Sequence, residues 1–191
     1  MDWYDELSRY FPSAEMRPRA HFQWLIDHRP DIYRVAATAE HLLLYLEYDD
    51  VLFIDYLYVY PDHRGAGEGS RVLQWLKQHD KAVLLEVEPA SAADPDSVRR
   101  RQFYDRLQFR QVSDVRFRLP HPLLGAGTDL DVLCWAPGEV PPARIYQWMQ
   151  RMYQDLYASI DPAIYGKPYP PVADCLRLSA PRKDVPPPCH S

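Results

Sequence analysis

Val51-Leu52-Phe53-Ile54-Asp55-Tyr56-Leu57-Tyr58-Val59-Tyr60-Pro61-Asp62-His63-Arg64-Gly65-Ala66-Gly67-Glu68-Gly69-Ser70-Arg71-Val72-Leu73-Gln74-Trp75-Leu76 decides how this chain is read. Its opening run is rich in β-branched and aromatic residues, which predicts a strand up to Tyr60. Arg71 to Leu76 spaces its apolar residues as a helix does. Between them Gly65, Gly67 and Gly69 alternate along a turn. Glycine lets backbone N–H groups come close to a bound group, because no Cβ intervenes. The start of a helix adds unpaired N–H donors and the positive end of the macrodipole. The stretch therefore predicts an anion-binding strand–loop–helix, suited to phosphate.

Three such loops are distinguishable by spacing. A P-loop requires Gly-x-x-x-x-Gly-Lys-Ser/Thr, and no lysine follows these glycines. The dinucleotide fingerprint Gly-x-Gly-x-x-Gly fails by one residue at Gly65-x-Gly67-x-Gly69. Arg64-Gly65-Ala66-Gly67-Glu68-Gly69 fits the third pattern, Arg/Gln-x-x-Gly-x-Gly/Ala. That pattern resembles the acetyl-CoA loop of the Gcn5-related N-acetyltransferase (GNAT) superfamily. Leu57-x-Val59-x-Pro61 resembles the family's fourth strand, and Glu68 stands where isoleucine is frequent. Downstream, Ala82 to Pro89 reads as the next strand and Ser97 to Leu107 as a helix. Phe103-Tyr104-Asp105-Arg106-Leu107-Gln108-Phe109 resembles the family's Phe-Tyr-x-x-x-Gly-Phe element, with Gln108 in the glycine position. The resemblance covers about residues 40–115. Leu-Glu-Val-Glu-Pro followed by an Arg-Arg-x-x-Phe-Tyr helix further resembles a bacterial subgroup of mostly unassigned substrate.

The resemblance implies an α+β fold with a mixed, mostly antiparallel sheet flanked by helices. It implies a splay between the family's fourth and fifth strands, here Val51–Tyr60 and Ala82–Glu88, with the pantetheine arm of acetyl-CoA inserted between them. Main-chain groups of Leu57, Tyr58 and Val59 would bond that arm, and a backbone N–H near Val59 would polarise the thioester carbonyl. Arg64, Gly65, Ala66, Gly67, Glu68, Gly69 and Ser70 would hold the pyrophosphate, with the Arg64 side chain nearby.

Transfer of acetyl to an amine requires removal of a proton, since an alkylamine with pKa near ~10.4 is protonated at neutral pH. Asp55 is the only charge between Val51 and Tyr60, and strict alternation puts it on the face of Leu57 and Val59. It is read either as the base or as the partner of an arginine from a neighbouring strand. Glu86 and Glu88 share a face of the next strand, as a base or an acidic substrate anchor. The matching family tyrosine points at the CoA sulfur, which makes Tyr104 the acid for the departing thiolate, against a purely structural role. His63 reads as an exposed turn residue, and His121, in a loop, receives no role.

The chain has 191 residues, net charge −5 and no basic stripe, which argues against nucleic acid. Its 3 cysteines, Cys134, Cys175 and Cys189, form neither a disulfide framework nor a zinc spacing, so no metal is expected. The N-terminus has no basic or apolar leader and no apolar run approaches ~20 residues, which predicts a cytoplasmic protein off the membrane. Helices are expected over residues 2–11, 17–28 and 141–160. Further strands are expected over Tyr33–Thr38, Leu42–Tyr48, Phe109–Leu119 and Asp131–Ala136. Residues 1–160 read as one acyltransferase domain and 161–191 as a proline-rich tail that wraps the body, stays disordered or reaches a neighbouring subunit.

The expected activity is transfer of acetyl from acetyl-CoA to the primary amine of a small molecule or peptide, by direct attack in a ternary complex. A non-catalytic acyl-CoA-binding module on the same fold is the alternative, and an unrelated nucleotide-binding protein a further one. A homodimer is left open.

Overall fold

The computed structural model describes residues 2–13, 15–120 and 127–179. His121 and Gly125, the tail beyond Ser179 with Pro186–Pro188, and Cys189 lie outside the described residues. The chain opens with α1 (Trp3–Tyr10) and α2 (Arg19–His28). Asp2 caps α1 by accepting the Tyr4 N–H. An antiparallel meander follows: β1 (Tyr33–Ala37), β2 (His41–Glu47) and β3 (Val51–Val59). Helix α3 (Glu68–Lys77) then crosses over to β4 (Ala82–Val87), which pairs with β3 in parallel. After α4 (Pro95–Arg106) come β5 (Arg110–Gln111), β6 (Val115–Pro120) and β7 (Gly127–Trp135). Helix α5 (Pro142–Tyr153) runs into a π-helical turn, Gln154–Ala158, and the described chain closes with α6 (Val172–Cys175) and β8 (Leu176–Leu178).

The sheet order is β1-β2-β3-β4-β7-β6-β8, with β5 also on β7, and the β3–β4 pair is the parallel one. This is the mixed, mostly antiparallel α+β sheet expected. The strands expected to splay, Val51–Tyr60 and Ala82–Glu88, are β3 and β4. Alternate residues of the sheet serve separate cores. Leu44 and Leu46 pack with α1, α2 and α5, around Phe22, Trp148, Met149 and Tyr153. Leu43 and Tyr45 pack with α3 and α4, around Leu73, Leu76 and Tyr104.

Two irregularities create the site. Leu44 pairs with Tyr56 but Tyr45 pairs with Ile54, so Asp55 is an extra residue, a β-bulge. The bulge reverses the alternation beyond it. Phe53, Tyr56 and Tyr58 belong to the α1/α2/α5 core while Leu57 packs on the α3/α4 side. Asp55 is therefore not on the face of Leu57, as strict alternation predicts. The second irregularity is the splay. Strands β3 and β4 pair from Val51↔Ala82 to Ile54↔Leu85 and then part. Beyond that point Tyr56 to Val59 pair with β2, and Glu86 and Val87 pair with β7.

The strand expected over Phe109–Leu119 is broken into β5 and β6 by a turn at Ser113-Asp114. The segment after Asp161 packs onto the body: Tyr165, Tyr169, Cys175 and Leu176 are buried, and β8 adds to the sheet by pairing with β6. No helix among the described residues is long and apolar enough to cross a membrane.

Candidate active site

The glycine loop joins β3 to α3 through a short 3-10 turn, Pro61–His63. Gly65 and Gly67 take φ values of +77° and +86°, and Gly67 is the N-cap of α3. A side chain in this left-handed region costs about 1–2 kcal/mol. Gly69 has another reason: a Cβ there would sit 3.2 Å from the Phe103 ring, so α3 and α4 meet closely at this point. The backbone N–H groups from Gly65 to Ser70 bond no other group among the described residues, whereas Arg71 N–H reaches the Gly67 carbonyl at 3.0 Å. This row of free donors at a helix start fits a phosphate.

Side chains around the loop are arranged to leave the donors free. Glu68 would oppose an anion, but it is turned back onto His41 Nδ1 at 3.0 Å and Arg71 Nε at 2.9 Å. Against the cost of burial, those two hydrogen bonds hold its carboxyl below the usual range. The Arg64 side chain leaves the loop: its Nε donates to the Val59 carbonyl at 2.9 Å and its guanidinium lies over Tyr10 and Tyr58. It ties the loop to the end of β3 rather than facing the glycine amides.

Where β3 and β4 part, the splay opens into a cavity of about 190 Å³. Ile54, Asp55, Tyr56 and Leu57 line it from β3, and Leu85 to Glu88 from β4 and its exit. Tyr104 enters from α4, Arg17 from the segment before α2, and Tyr157, Tyr165 and Tyr169 from beyond α5. The π-helical turn at 154–158 lets Leu156 and Tyr157 both face inward, where a continued α-helix would have carried its stripe around. Neither Cys134 nor Cys175 lines this cavity, and burial pushes the Cys134 thiol up to about 12.

Asp55 is fully engaged. One carboxylate oxygen accepts from Arg17 and the other from Tyr33 Oη at 2.8 Å. Burial pushes its carboxyl up, with the Arg17 guanidinium opposing. The arginine partner comes from the α1–α2 connection, not from a neighbouring strand. Arg17 is itself 9% exposed and lies 5.0–5.3 Å from the ring centroids of Phe22, Tyr56 and Tyr157. Its Nη1 meets His21 Nε2 at 3.4 Å, and His21 Nδ1 meets Tyr165 Oη at 2.7 Å. Burial, then the Arg17 charge, pushes His21 well below its usual value, so it is neutral. Its Nε2 accepts from Arg17 and its Nδ1–H donates to Tyr165.

Glu86 is the opposite case. Its Oε1 accepts from Tyr157 Oη at 3.3 Å, while Oε2 is shut off from solvent with no partner among the described residues. Burial, and then the nearby Asp55, push its carboxyl up to about 8. Tyr104 is 8% exposed, and burial pushes its phenol up to about 12 with Arg100 opposing. It therefore remains a proton donor at neutral pH. Gln108 holds the end of α4 in the way glycine would, at φ +62°, with Phe109 N–H closing onto the Tyr104 carbonyl at 3.1 Å. Lys77 Nζ also donates to the Leu107 carbonyl.

Of the residues singled out from the sequence, Asp55, Leu57, Glu86, Glu88 and Tyr104 line this cavity, whereas Tyr58, Val59 and the loop Arg64 to Ser70 do not. Sequence reasoning missed Arg17, His21, Tyr33 and Tyr157. Arg17-Pro18 before an apolar helix carries no signal for a partner 38 residues away.

Comparison with known proteins gives a consistent picture. The sequence model described as "Acetyltransferase (GNAT) family" matches residues 1–109. A Bacillus subtilis (strain 168) protein described as "Putative acetyltransferase YjbC" is 34% identical over 178 residues, covering 93% of each chain. Among solved structures, a GNAT-family protein from Bacteroides thetaiotaomicron superposes with TM-score 0.65 at 19% identity, over 86% of this chain and 90% of that one. Arabidopsis thaliana NAA60, solved with a bisubstrate analogue, gives TM-score 0.50 at 14% identity, over 71% and 91%. At these identities the two structures speak for the fold alone.

Proposed function

Since the chain belongs to the acetyltransferase (GNAT) family, with acetyl-CoA as cosubstrate, we propose that it transfers the acetyl group to a primary amine of a small molecule or peptide by direct attack. The observation that carries this reading is the unpartnered Oε2 of Glu86 in the cavity at the parting of β3 and β4. The free N–H row from Gly65 to Ser70 would hold the pyrophosphate, with Arg64 bracing the loop from behind. The edge of β3 at Leu57, Tyr58 and Val59, left open towards β4, would bond the pantetheine arm as another strand would. When bound, acetyl-CoA supplies a thioester whose carbonyl carbon accepts the amine nitrogen as the C–S bond breaks.

In this reading proton acceptance falls to Glu86 rather than to Asp55. Both Asp55 oxygens are occupied, and Asp55 instead anchors Arg17 and raises Glu86. A carboxyl titrating at about 8 takes a proton from an ammonium far more readily than an exposed one would. Tyr104 donates to the departing thiolate. That neither Cys134 nor Cys175 lines the cavity favours one direct transfer over an acyl-enzyme. Residues 1–160 carry the acyltransferase unit, and the segment from Asp161 adds a wall to the acceptor side.

Thermal unfolding with saturating CoA or acetyl-CoA is expected to raise the midpoint clearly, since ligand at ~100 times its Kd stabilises by about 2.7 kcal/mol. CoA release should then require an added amine. A shift with ATP or NAD but not CoA would sink the reading; CoA binding with no transfer to any amine would favour an acyl-CoA-binding module. Tyr104→Phe should lower kcat by 10-fold or more, within the ~10²–10⁴-fold range of acid–base catalysis, while leaving acetyl-CoA affinity nearly unchanged. An unaltered kcat removes Tyr104 from the mechanism.

A further inference from the structure

The acceptor side of the cavity holds more negative charge than one attacking amine needs. Glu15, Glu86 and Glu88 all line it. Arg17 is neutralised by Asp55, which leaves Arg100 as the one cation among the described lining residues that is not already paired. Partial loss of water, and then Glu88, raise the Glu15 carboxyl; Asp94 adds to this and Arg100 opposes it. Neither Glu15 nor Glu88 makes an ion pair among the described residues, whereas Asp55, deeper in the same cavity, is paired with Arg17. Glu15 is exposed and Glu88 half-buried, whereas Glu86 Oε2 is sealed from solvent, so the acids run from the rim inward. Aromatic side chains of Phe11, Tyr56, Tyr165 and Tyr169 line the same cavity.

We propose that the acceptor is an aliphatic diamine or polyamine: one amine attacks beside Glu86, and a second, protonated amine sits at the rim between Glu15 and Glu88. This rests on the N-acetyltransferase reading and narrows its substrate. Alternate residues along an extended chain are about 7 Å apart, so Glu86 and Glu88 suit two nitrogens joined by a short methylene spacer. Tyrosine walls cover methylenes and attract an ammonium by their ring faces. The outer carboxylates supply the counter-charge that a monoamine would leave unused.

The test compares kcat/KM for 1,4-diaminobutane and butylamine, with acetyl-CoA saturating. The proposal expects the diamine to be favoured at least tenfold, with the preference shrinking as salt is raised. Glu88→Gln and Glu15→Gln should each narrow the ratio several-fold, mainly through KM. Equal use of the two amines overturns the diamine assignment while leaving the acetyltransferase reading intact. A preference that survives both substitutions overturns the role of this rim. Absence of transfer to any primary amine, with CoA still bound, overturns the underlying reading and this inference with it.

Discussion

Arg17→Met is expected to destabilise the fold by about 3–5 kcal/mol, the usual consequence of removing one partner from a buried ion pair. The side chains of Arg17 and Asp55 are 10% and 3% exposed, so the loss would leave a carboxylate with neither water nor a cation. Tyr33 would remain its sole donor. The same change removes the aromatic packing on the guanidinium and the partner of His21 Nε2. Urea unfolding measures the loss. Arg17→Met/Asp55→Asn should recover a large part of it, because the uncompensated charge is gone. If the single variant were as stable as the parent, the pair would not be holding the α1–α2 connection to β3.

Glu86→Gln is expected to act in opposite directions on activity and stability. Loss of the base should lower kcat/KM for the amine by about 10²–10⁴-fold. The parent's profile, expressed per protonated amine, should rise with pH and level off above about 8, following deprotonation of Glu86. That limb should vanish in the variant. For stability, the folded carboxyl titrates at about 8 against 4.5 for the unfolded chain. A raised folded value means that the protonated form is the one the fold favours. The carboxyl is therefore harmless below pH about 4.5, increasingly costly as pH rises to about 8, and fully costly above. At roughly 1.4 kcal/mol per unit the penalty is of the order of a few kcal/mol. Glutamine stays neutral throughout, so the variant should melt at a higher temperature than the parent at pH 9 and near it at pH 4.5. A variant that was equally active, or less stable at pH 9, would remove Glu86 from the base position.

The parts of this site that a reader of the sequence can find are those encoded by neighbours. Gly65 and Gly67 serve their own backbone, and Phe103-Tyr104 stands in a contiguous motif that resembles the family's Phe-Tyr element. Glu86 was visible as a lone acid inside Ala82-Val83-Leu84-Leu85-Glu86-Val87, a strand otherwise apolar. What resisted reading depends on register between strands and on distant contacts. The face of Asp55 is set by a bulge that exists only because β2 and β3 pair out of step at Leu44/Tyr45. The His21–Tyr165 bond spans 144 residues, and the π-helical turn that admits Tyr157 interrupts a stripe that reads as one continuous helix. Gln108 falls between these cases: its departure from glycine was plain, but only tertiary support, including Lys77, explains why the same backbone shape survives.

The two halves of the site are also separated in time. A ribosome has translated the glycine loop, both splayed strands and the Tyr104 helix by Arg106, with Arg17 and Glu15 long since made. The wall formed by Tyr157, Tyr165 and Tyr169, and the strand β8 that fastens it through β6, come only some fifty to seventy residues later. A chain made only as far as Arg106 thus lacks every residue of that wall. The Arg17–Asp55 pair is linked to that last-made wall through His21 and Tyr165, so the cavity around it is complete only once Tyr165 is in place.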